Sequence, residues 1–241
     1  MNPIWTIFKR EVSAYFNAPV AYVVVILFLL ITGALFWGSY FQEINVLSLR
    51  SFFLQAPLFL TFFAPAVTMG LLASEKQSGT LELLMTMPVR DVHIVVGKFL
   101  AAVFLLCVVF LMTLPYPLTL SLLAGQFDTT LDWGATIAGY VGLLLLGSTY
   151  AAIGVMASSF TRDQVVAILL AFSISFFLYL IDQLVGQPTG AVAQAVEYLS
   201  TAYHFENIAR GVIDLRDVVY YVSVIGVCLV TAQASISSRR W

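Results

Sequence analysis

The sequence predicts an all-α integral membrane protein that forms a single domain, residues 1–241, with six transmembrane helices. Of its 241 residues, 61% are hydrophobic and only 10% are charged, and the mean hydropathy is +0.95. A helix needs about 20 apolar residues to cross a bilayer, and the chain contains six charge-free blocks of at least about that length. None of these blocks alternates as a membrane strand would, so helices are expected to satisfy the backbone within each one.

The transmembrane helices are expected at about residues 19–41, 51–74, 94–124, 134–160, 164–184 and 217–237. Pro57 and Pro65 predict bends in the second helix. Pro115 and Pro117 predict that the third helix is kinked and tilted. The first block is longer than the ~7–15 apolar residues of a secretory signal, so we interpret it as a retained span.

Residues 1–17 predict an amphipathic helix that lies in the cytoplasmic membrane interface. Its apolar face has helical spacing and consists of Ile4, Ile7, Phe8, Val12, Tyr15 and Phe16. Its polar face consists of Thr6, Lys9, Arg10 and Ser13. Trp5 is expected to be an aromatic anchor at the interface. The alternative is a first transmembrane helix that extends out of the bilayer.

The basic residues predict the orientation of the bundle. With both termini in the cytoplasm, the cytoplasmic side holds Lys9, Arg10, Lys76, Arg90, Lys98, Arg162, Arg239 and Arg240. The outer side then holds Arg50, Arg210 and Arg216. The inverse orientation would place most of the positive charge outside, against the positive-inside tendency. We therefore expect a multi-pass protein of the bacterial cytoplasmic (inner) membrane with both termini inside.

The longest connection, residues 182–217, is predicted to lie outside the membrane between spans five and six. Its second half carries an apolar helical stripe that consists of Tyr198, Phe205, Ile208, Ala209 and Val212. This aromatic and aliphatic content disfavours a disordered loop. One or two short helices that dip into the outer leaflet fit the pattern better than a soluble domain does.

Motif searches exclude several classes of function. The Gly97-Lys98 pair lacks the first glycine and the hydroxyl residue of a P-loop, so this chain is not expected to bind a nucleotide in that way. His93 and His204 fall on opposite sides of the predicted membrane and are interpreted as lone surface histidines, so no metal site is expected. The centres of all six blocks lack ionisable residues, which leaves ion-driven transport without visible machinery. No Lys/Arg run indicates a nucleic-acid partner.

The interval 73-ASEKQSGTLELLMTMPVR-90 between spans two and three is rich in charges. Gly79 offers a helix break, Thr80 an N-cap and Glu82 a carboxylate in the first turn of a new helix. One side of that helix is apolar and consists of Leu81, Leu84 and Met85. Pro88 marks its end. The pattern predicts a short amphipathic helix that docks into a cytoplasmic partner, although a connector lying on the membrane surface would show the same periodicity.

The same run resembles the E-x-x-x-G-T-x-E-x-L-L…P signature of ABC-2 type permeases, the membrane subunits of ATP-driven exporters. The residues that carry the resemblance are Glu75, Lys76, Gly79, Thr80, Leu81, Glu82, Leu83, Leu84, Pro88 and Val89. In detail the chain is similar to the branch of permeases for gliding motility or multicopper-enzyme maturation. The resemblance covers the order of helices along essentially the whole chain.

This resemblance implies a half-transporter that is not itself an enzyme and acts as an exporter or a mechanotransmitter. Separate ABC ATPase subunits, with their ATP and magnesium, would bind from the cytoplasm, and this chain would bind no cofactor. The implied coupling helix comprises Glu75, Lys76, Gly79, Thr80, Leu81, Glu82, Leu84, Met85 and Pro88. The amphipathic helix would support it through Trp5, Phe8, Lys9, Arg10 and Val12. A second copy or a related permease would complete the pair in the lipid bilayer.

The resemblance also implies a role for the short outer helices, as an exit gate or as a contact for an extracytoplasmic accessory protein. The residues concerned are Tyr203, Phe205, Ile208 and Val212. Two other functions fit the composition. One is a structural anchor of a motility or secretion machine, without translocation. The other is a membrane enzyme that acts on a lipid, whose acid, base or metal ligands would be Glu75, Glu82, Asp91 and His93.

Overall fold

The computed structural model describes residues 3–42, 49–80, 89–124, 131–185 and 196–238, and ten helices lie within them. These are α1 (Pro3–Asn17), α2 (Pro19–Gln42), α3 (Arg50–Thr68), α4 (Gly70–Gln77), α5 (Asp91–Met112), α6 (Pro115–Ala124), α7 (Trp133–Phe160), α8 (Gln164–Val185), α9 (Thr201–Ala209) and α10 (Leu215–Ser237). The described residues contain no β-strand. The prediction of an all-α protein is confirmed.

Six stretches of the described helices are long and apolar enough to cross a membrane. They are Ala21–Gly38, Arg50–Gln77, Asp91–Leu123, Trp133–Phe160, Gln164–Ile181 and Leu215–Ser237. The second span therefore combines α3 with α4, and the third combines α5 with α6. The prediction of six spans is confirmed, and the remaining helices α1 and α9 are short elements outside them.

The second and third spans are interrupted near prolines. The second is interrupted at Met69, one turn after Pro65, whereas Pro57 lies inside α3 without a break. The third turns at residues 113–114, and Pro115 begins α6. Proline lacks the N–H that continues a helix, so both breaks agree with the predicted bends.

The second, third and fourth spans form the centre of the bundle. Within an 18-residue apolar window of each, 61–78% of the residues are buried, against 22–28% in the first, fifth and sixth spans. Glycines of α7 let it approach α3 closely, since a Cβ added at Gly139 would come within 2.4 Å of the Phe53 ring. The fourth span packs against the second, third, fifth and sixth spans, whereas the first span packs mainly against the second.

The alternation of the six spans gives the bundle two ends. One end, called the α1 end, holds α1, the end of α4, the start of α5, the end of α7 and the end of α10. A hydrogen bond of 2.9 Å from Ser237 Oγ to Asp91 Oδ2 joins the last and third spans there. The other, called the opposite end, holds α9 and the start of α10.

Helix α1 packs directly on α5. Ile7 is buried, and a Cβ added at Gly97 would lie 2.9 Å from the Ile7 side chain and 3.2 Å from the Ile4 carbonyl oxygen. On the outer side of α1, the exposed Trp5 stacks on Phe8 at 4.9 Å between ring centroids. The sequence prediction that this segment is an amphipathic helix agrees with this arrangement, and its place in a membrane interface stays a prediction.

Candidate coupling site

Four charged side chains meet at the α1 end, and we call Arg10, Glu11, Glu75 and Lys98 the ion cluster. Lys98 Nζ lies 3.0 Å from Glu11 Oε1 and 2.9 Å from Glu75 Oε1. Arg10 Nη2 donates to the same two oxygens, at 2.8 Å and 2.9 Å. Each carboxylate therefore bridges two cations, and the four charges sum to zero.

The cluster joins three helices that are distant in sequence. Arg10 and Glu11 belong to α1, Glu75 to α4 and Lys98 to α5. Glu11 follows Ile7 by one helical turn, so both point towards α5. Gly97 lets α1 approach the backbone of α5, and the neighbouring Lys98 then reaches Glu11.

Burial makes the pairing necessary. The Lys98 side chain is only 1% exposed, against 12% for Glu11, 18% for Glu75 and 51% for Arg10. A buried ammonium is strongly disfavoured unless carboxylates compensate its charge. Burial lowers the pKa of Arg10, but the hydrogen bonds and charges of Glu11 and Glu75 outweigh it and raise the pKa above its ordinary value. Arg10 therefore stays charged in the cluster.

Tyr15 adds a second link from α1 to the second span. Its hydroxyl donates to the Val67 carbonyl oxygen at 2.9 Å. Burial first, and the negative charge of Glu11 second, raise the pKa of Tyr15 above its ordinary value. The hydroxyl therefore stays protonated and remains a donor, so α1 is tied to the second span both before and after its break at Met69.

The connection between spans two and three is anchored at both of its ends. Lys76 is buried, and its ammonium donates to the Ser159 carbonyl oxygen at the end of α7. Ser235 Oγ of α10 donates to the same oxygen at 2.8 Å. At the far end of the connection, Asp91 accepts from Ser237. These bonds link the connection to the second, third, fourth and sixth spans, so a displacement of it would act on four of the six spans.

Gly79 ends the second span as the sequence indicated. Its φ of +72° is in the left-handed region, where glycine is favoured just after a helix. Thr80 is exposed, and its hydroxyl lies 2.9 Å from that of Ser78. The other coupling residues lie outside the described residues, and these are Leu81, Glu82, Leu84, Met85 and Pro88. The coupling helix itself stays a prediction.

At the opposite end, the structure separates the four residues of the predicted gate. Phe205 and Ile208 of α9 are buried against α7, where a Cβ added at Gly142 would lie 3.1–3.2 Å from both. Tyr203 is half-buried, and Val212 lies beyond the end of α9 and is 66% exposed. Two of the four residues thus hold α9 in place, and a gate formed by all four stays a prediction.

His204 is buried, so its interpretation as a surface histidine is wrong. Its Nδ1 lies 2.6 Å from Asp217 Oδ1, and its Nε2 lies 3.0 Å from the Tyr198 carbonyl oxygen. A carbonyl oxygen only accepts, so Nε2 is the donor to Tyr198, and Nδ1 faces the Asp217 carboxyl group. Tyr220 stacks on the imidazole at 4.0 Å between ring centroids. The ring is buried because α9 folds back on the first turn of α10.

The sequence model of the family described as ABC-2 family transporter protein matches residues 5–235. The chain belongs to the ABC-2 transporter family. A comparison with individual curated proteins returned no match. Membership makes this ABC-2 protein a membrane component of a transport system, in agreement with its six apolar spans.

Two residues of the ABC-2 protein's ion cluster were missed by sequence reasoning, namely Glu11 and Lys98. Lys98 was counted among the cytoplasmic basic residues and in a failed P-loop but was given no partner, although a lysine next to an apolar block needs one. Glu11 was not assigned to either face of α1. Of the residues predicted to support the coupling helix, Arg10 is in the cluster. Outside the cluster, Phe8 and Val12 are half-buried along α1, while Trp5 and Lys9 are exposed.

Proposed function

We propose that this ABC-2 protein is the permease subunit of an ATP-driven exporter or mechanotransmitter, and that its ATPase subunits are separate chains. The ATPase, with its ATP and magnesium, would bind the connection from Glu75 to Pro88. The observation that supports this most is the ion cluster, which ties the last turns of the second span to α1 and α5 just before residues 81–88.

The physical argument concerns how a pull on residues 81–88 would reach the membrane. Coupling between distant sites is carried by contiguous packed and hydrogen-bonded groups. Glu75 passes a displacement to α1 and α5, and Lys76 passes it to α7. Both residues precede residues 81–88 by only a few positions, so the path from that segment to these contacts is short.

The charges of the two ends support a cytoplasmic location for the α1 end. The basic residues described at that end are Lys9, Arg10, Lys76, Arg90, Lys98 and Arg162. The basic residues described at the opposite end are Arg50, Arg210 and Arg216. This bias matches the positive-inside tendency. We therefore place both termini in the cytoplasm of a bacterial cell, with the protein in the inner membrane.

The proposal includes a second permease subunit, either a second copy or a related chain. The first, fifth and sixth spans are the least buried, and these apolar helices offer surfaces to a partner permease and to lipid. Membership of the gliding-motility or multicopper-enzyme-maturation branch is part of the proposal and rests on the sequence resemblance alone. The same holds for an extracytoplasmic partner at α9.

Co-purification with the ATPase encoded nearest to this protein tests the proposal. We expect a complex whose ATP hydrolysis depends on the permease. A proline inside a helix costs about 3 kcal/mol, so Leu84→Pro should lower the stimulated hydrolysis at least tenfold, about 1.4 kcal/mol in a barrier. Leu84→Ala keeps the helix but shortens the docking side chain, so the loss that Leu84→Pro shows beyond Leu84→Ala measures the contribution of the helix itself. ATP hydrolysis by the purified permease alone, or full stimulation by Leu84→Pro, would contradict the proposal.

A structural anchor would form the same complex and needs a different measurement. In a transporter, ATP binding changes the separation of the two permease subunits, whereas an anchor keeps it constant. Spin labels on Leu169 of α8, which is 58% exposed, would report that separation between two copies. A distance that is identical with and without trapped nucleotide would favour the anchor.

A further inference from the structure

The break in the second span is bridged by a side chain from another helix. In a regular helix the Ala73 N–H would donate to the Met69 carbonyl oxygen. The Ser158 hydroxyl of α7 contacts both groups: it donates to Met69 O at 2.9 Å and accepts from Ala73 N–H at 2.9 Å. It also accepts from Leu72 N–H at 3.1 Å.

These three bonds use the full capacity of one hydroxyl, which has one hydrogen and two lone pairs. Ser158 is 0% exposed, as are Leu72 and Ala73, so water does not compete at this point. A side chain that enters the i→i−4 ladder is an established cause of sharp helix bends. The break at Met69 is therefore held by α7 as well as by the residues of the second span.

The last turn of α3 is already weakened before the break. Pro65 has no N–H to donate, and the Thr68 hydroxyl donates back to the Ala64 and Pro65 carbonyl oxygens at 3.0 Å and 3.2 Å. Such back-bonding often bends helices. Gly154, one turn before Ser158, lets α7 come close, since a Cβ added there would lie 1.8 Å from Thr68 Oγ1.

The break also borders a cleft that opens to the surface. A cavity of about 210 Å³ is lined by Met69 and Gly70, and its other lining residues come from the second span and from α1, α2, α5 and α8. It therefore lies on a face of the second span away from α7. Glu75 and Lys98 of the ion cluster also line it. Helix α4 thus has Ser158 on one side and this open cleft on another.

We propose that Ser158 is a positioning residue that keeps the second span hinged at Met69, so that α4 swings as one unit with the connection that follows it. The inference rests on the proposed function, because the swing would carry the movement of the ATPase into the bundle. The cavity would take up the displaced helix, and the ion cluster would guide its end.

The neighbouring Ser159 offers a matched control. It is also 0% exposed, but its hydroxyl donates to the Met156 carbonyl oxygen of its own helix at 2.6 Å. Ser158→Ala and Ser159→Ala each remove one buried oxygen, yet only the first removes contacts with the second span. Ser158→Thr keeps the hydroxyl and serves as the conservative rescue.

The first measurement uses the permease alone in lipid nanodiscs. Spin labels on unnatural amino acids at the exposed Gln77 and Arg162 report the position of α4 relative to the end of α7. Helix α4 extends about 12 Å beyond Met69, so a change of about 10–20° in the bend moves its end by about 2–4 Å. We expect that shift for Ser158→Ala, and a wild-type distance for Ser159→Ala and Ser158→Thr.

The second measurement uses the complex with the ATPase. We expect Ser158→Ala to co-purify normally but to lower the stimulated ATP hydrolysis about fivefold, which corresponds to about 1 kcal/mol in the barrier. We expect Ser159→Ala and Ser158→Thr to keep wild-type stimulation. A variant with only a general loss of stability would lose binding of the ATPase and stimulation of ATP hydrolysis together.

The outcomes distinguish the hinge from the proposed function. A wild-type label distance in Ser158→Ala, or an equal shift in Ser159→Ala, overturns the hinge. A shifted distance in a permease that binds no ATPase leaves the hinge intact and refutes the proposed function. If Ser158→Ala does not elute as a folded species, Ser158→Cys replaces it, because a thiol is a weaker donor. An unchanged distance in that variant also overturns the hinge.

Discussion

The two ends of the bundle each hold buried ionisable groups, but they connect very different parts of the chain. At the α1 end, Arg10 and Glu75 are 65 residues apart, and Lys98 and Glu11 are 87 residues apart. At the opposite end, His204 and Asp217 are only 13 residues apart and join α9 to the next helix. The ion cluster joins helices that are distant in sequence, whereas the His204–Asp217 contact joins two consecutive helices.

This difference suggests a separate role for each end: the ion cluster would transmit movement from the ATPase, and the His204–Asp217 pair would stabilise the fold locally. The ion cluster lies where a movement of residues 81–88 would enter the bundle, so its loss should affect coupling to the ATPase. The His204–Asp217 pair fixes a short helix against α10, so its loss should affect stability while coupling persists. Variants at the two ends therefore test the comparison directly.

The largest effect is expected for Lys98→Met. Removing one partner of a buried ion pair costs about 3–5 kcal/mol, because Glu11 and Glu75 keep charges that Arg10 alone compensates. Reversible unfolding in mixed detergent micelles should show this loss, and ATPase stimulation should fall with it. Adding Glu75→Gln removes one surplus negative charge and should recover part of the stability. No recovery in the double variant would refute the electrostatic explanation.

Asp217→Ala should cost about 2–3 kcal/mol of stability, because the buried His204 ring loses a hydrogen-bond partner. The ring keeps its hydrogen bond to the Tyr198 carbonyl oxygen, which keeps the cost below that of Lys98→Met. The same unfolding assay measures this loss. The comparison predicts that ATPase stimulation per folded complex stays within about twofold of wild type. This change is smaller than the change of about fivefold in a rate that the loss of one hydrogen bond would cause. A selective loss of stimulation would mean that the opposite end also transmits.

Gly97→Ala should cost about 1–3 kcal/mol, because the added methyl group forces Ile7 and the backbone at Ile4 away from α5. The shift should also lengthen the Lys98–Glu11 contact and reduce coupling. Gly226→Ala is the control, since a Cβ at Gly226 meets nothing within 4 Å. Parallel unfolding curves check this pair, and equal effects of the two substitutions would show that the approach of α1 to α5 does not matter.

Arg10→Ala should have the smallest effect, about 0.2–1 kcal/mol, because the Arg10 side chain is half exposed and screened by solvent. Its contribution should weaken in high salt. Unfolding in low and high salt measures this dependence for both the wild type and the variant. If Arg10→Ala lowered the stability as much as Lys98→Met, burial would not determine which of the two cations stabilises the ion cluster more.

Local features of the fold were readable from the sequence, and long-range ones were not. The six spans follow from apolar length, and the left-handed Gly79 follows from its place after a helix. The partners of Lys98 lie 87 and 23 positions away, and nothing in the local pattern selects them. The burial of His204 depends on α9 folding back on α10. The local sequence does not show this contact, so His204 was assigned to the surface.

The break in the second span shows the same limit. Two prolines predicted bends, yet Pro57 leaves α3 continuous while the interruption falls at Met69. The group that bridges this interruption, the Ser158 hydroxyl, comes from a helix 89 residues further along the chain. Sequence identified the weak part of the helix, and packing against α7 fixed where it bends.

The central claim is that a separate ATPase engages the connection after the second span at the α1 end. A photo-crosslinking amino acid at the exposed Thr80, with a matched one at the exposed Arg210 of the opposite end, tests it most directly. We predict a covalent adduct with the ATPase from position 80 and none from position 210. An adduct from position 210, or none from position 80 in an intact complex, would contradict the account.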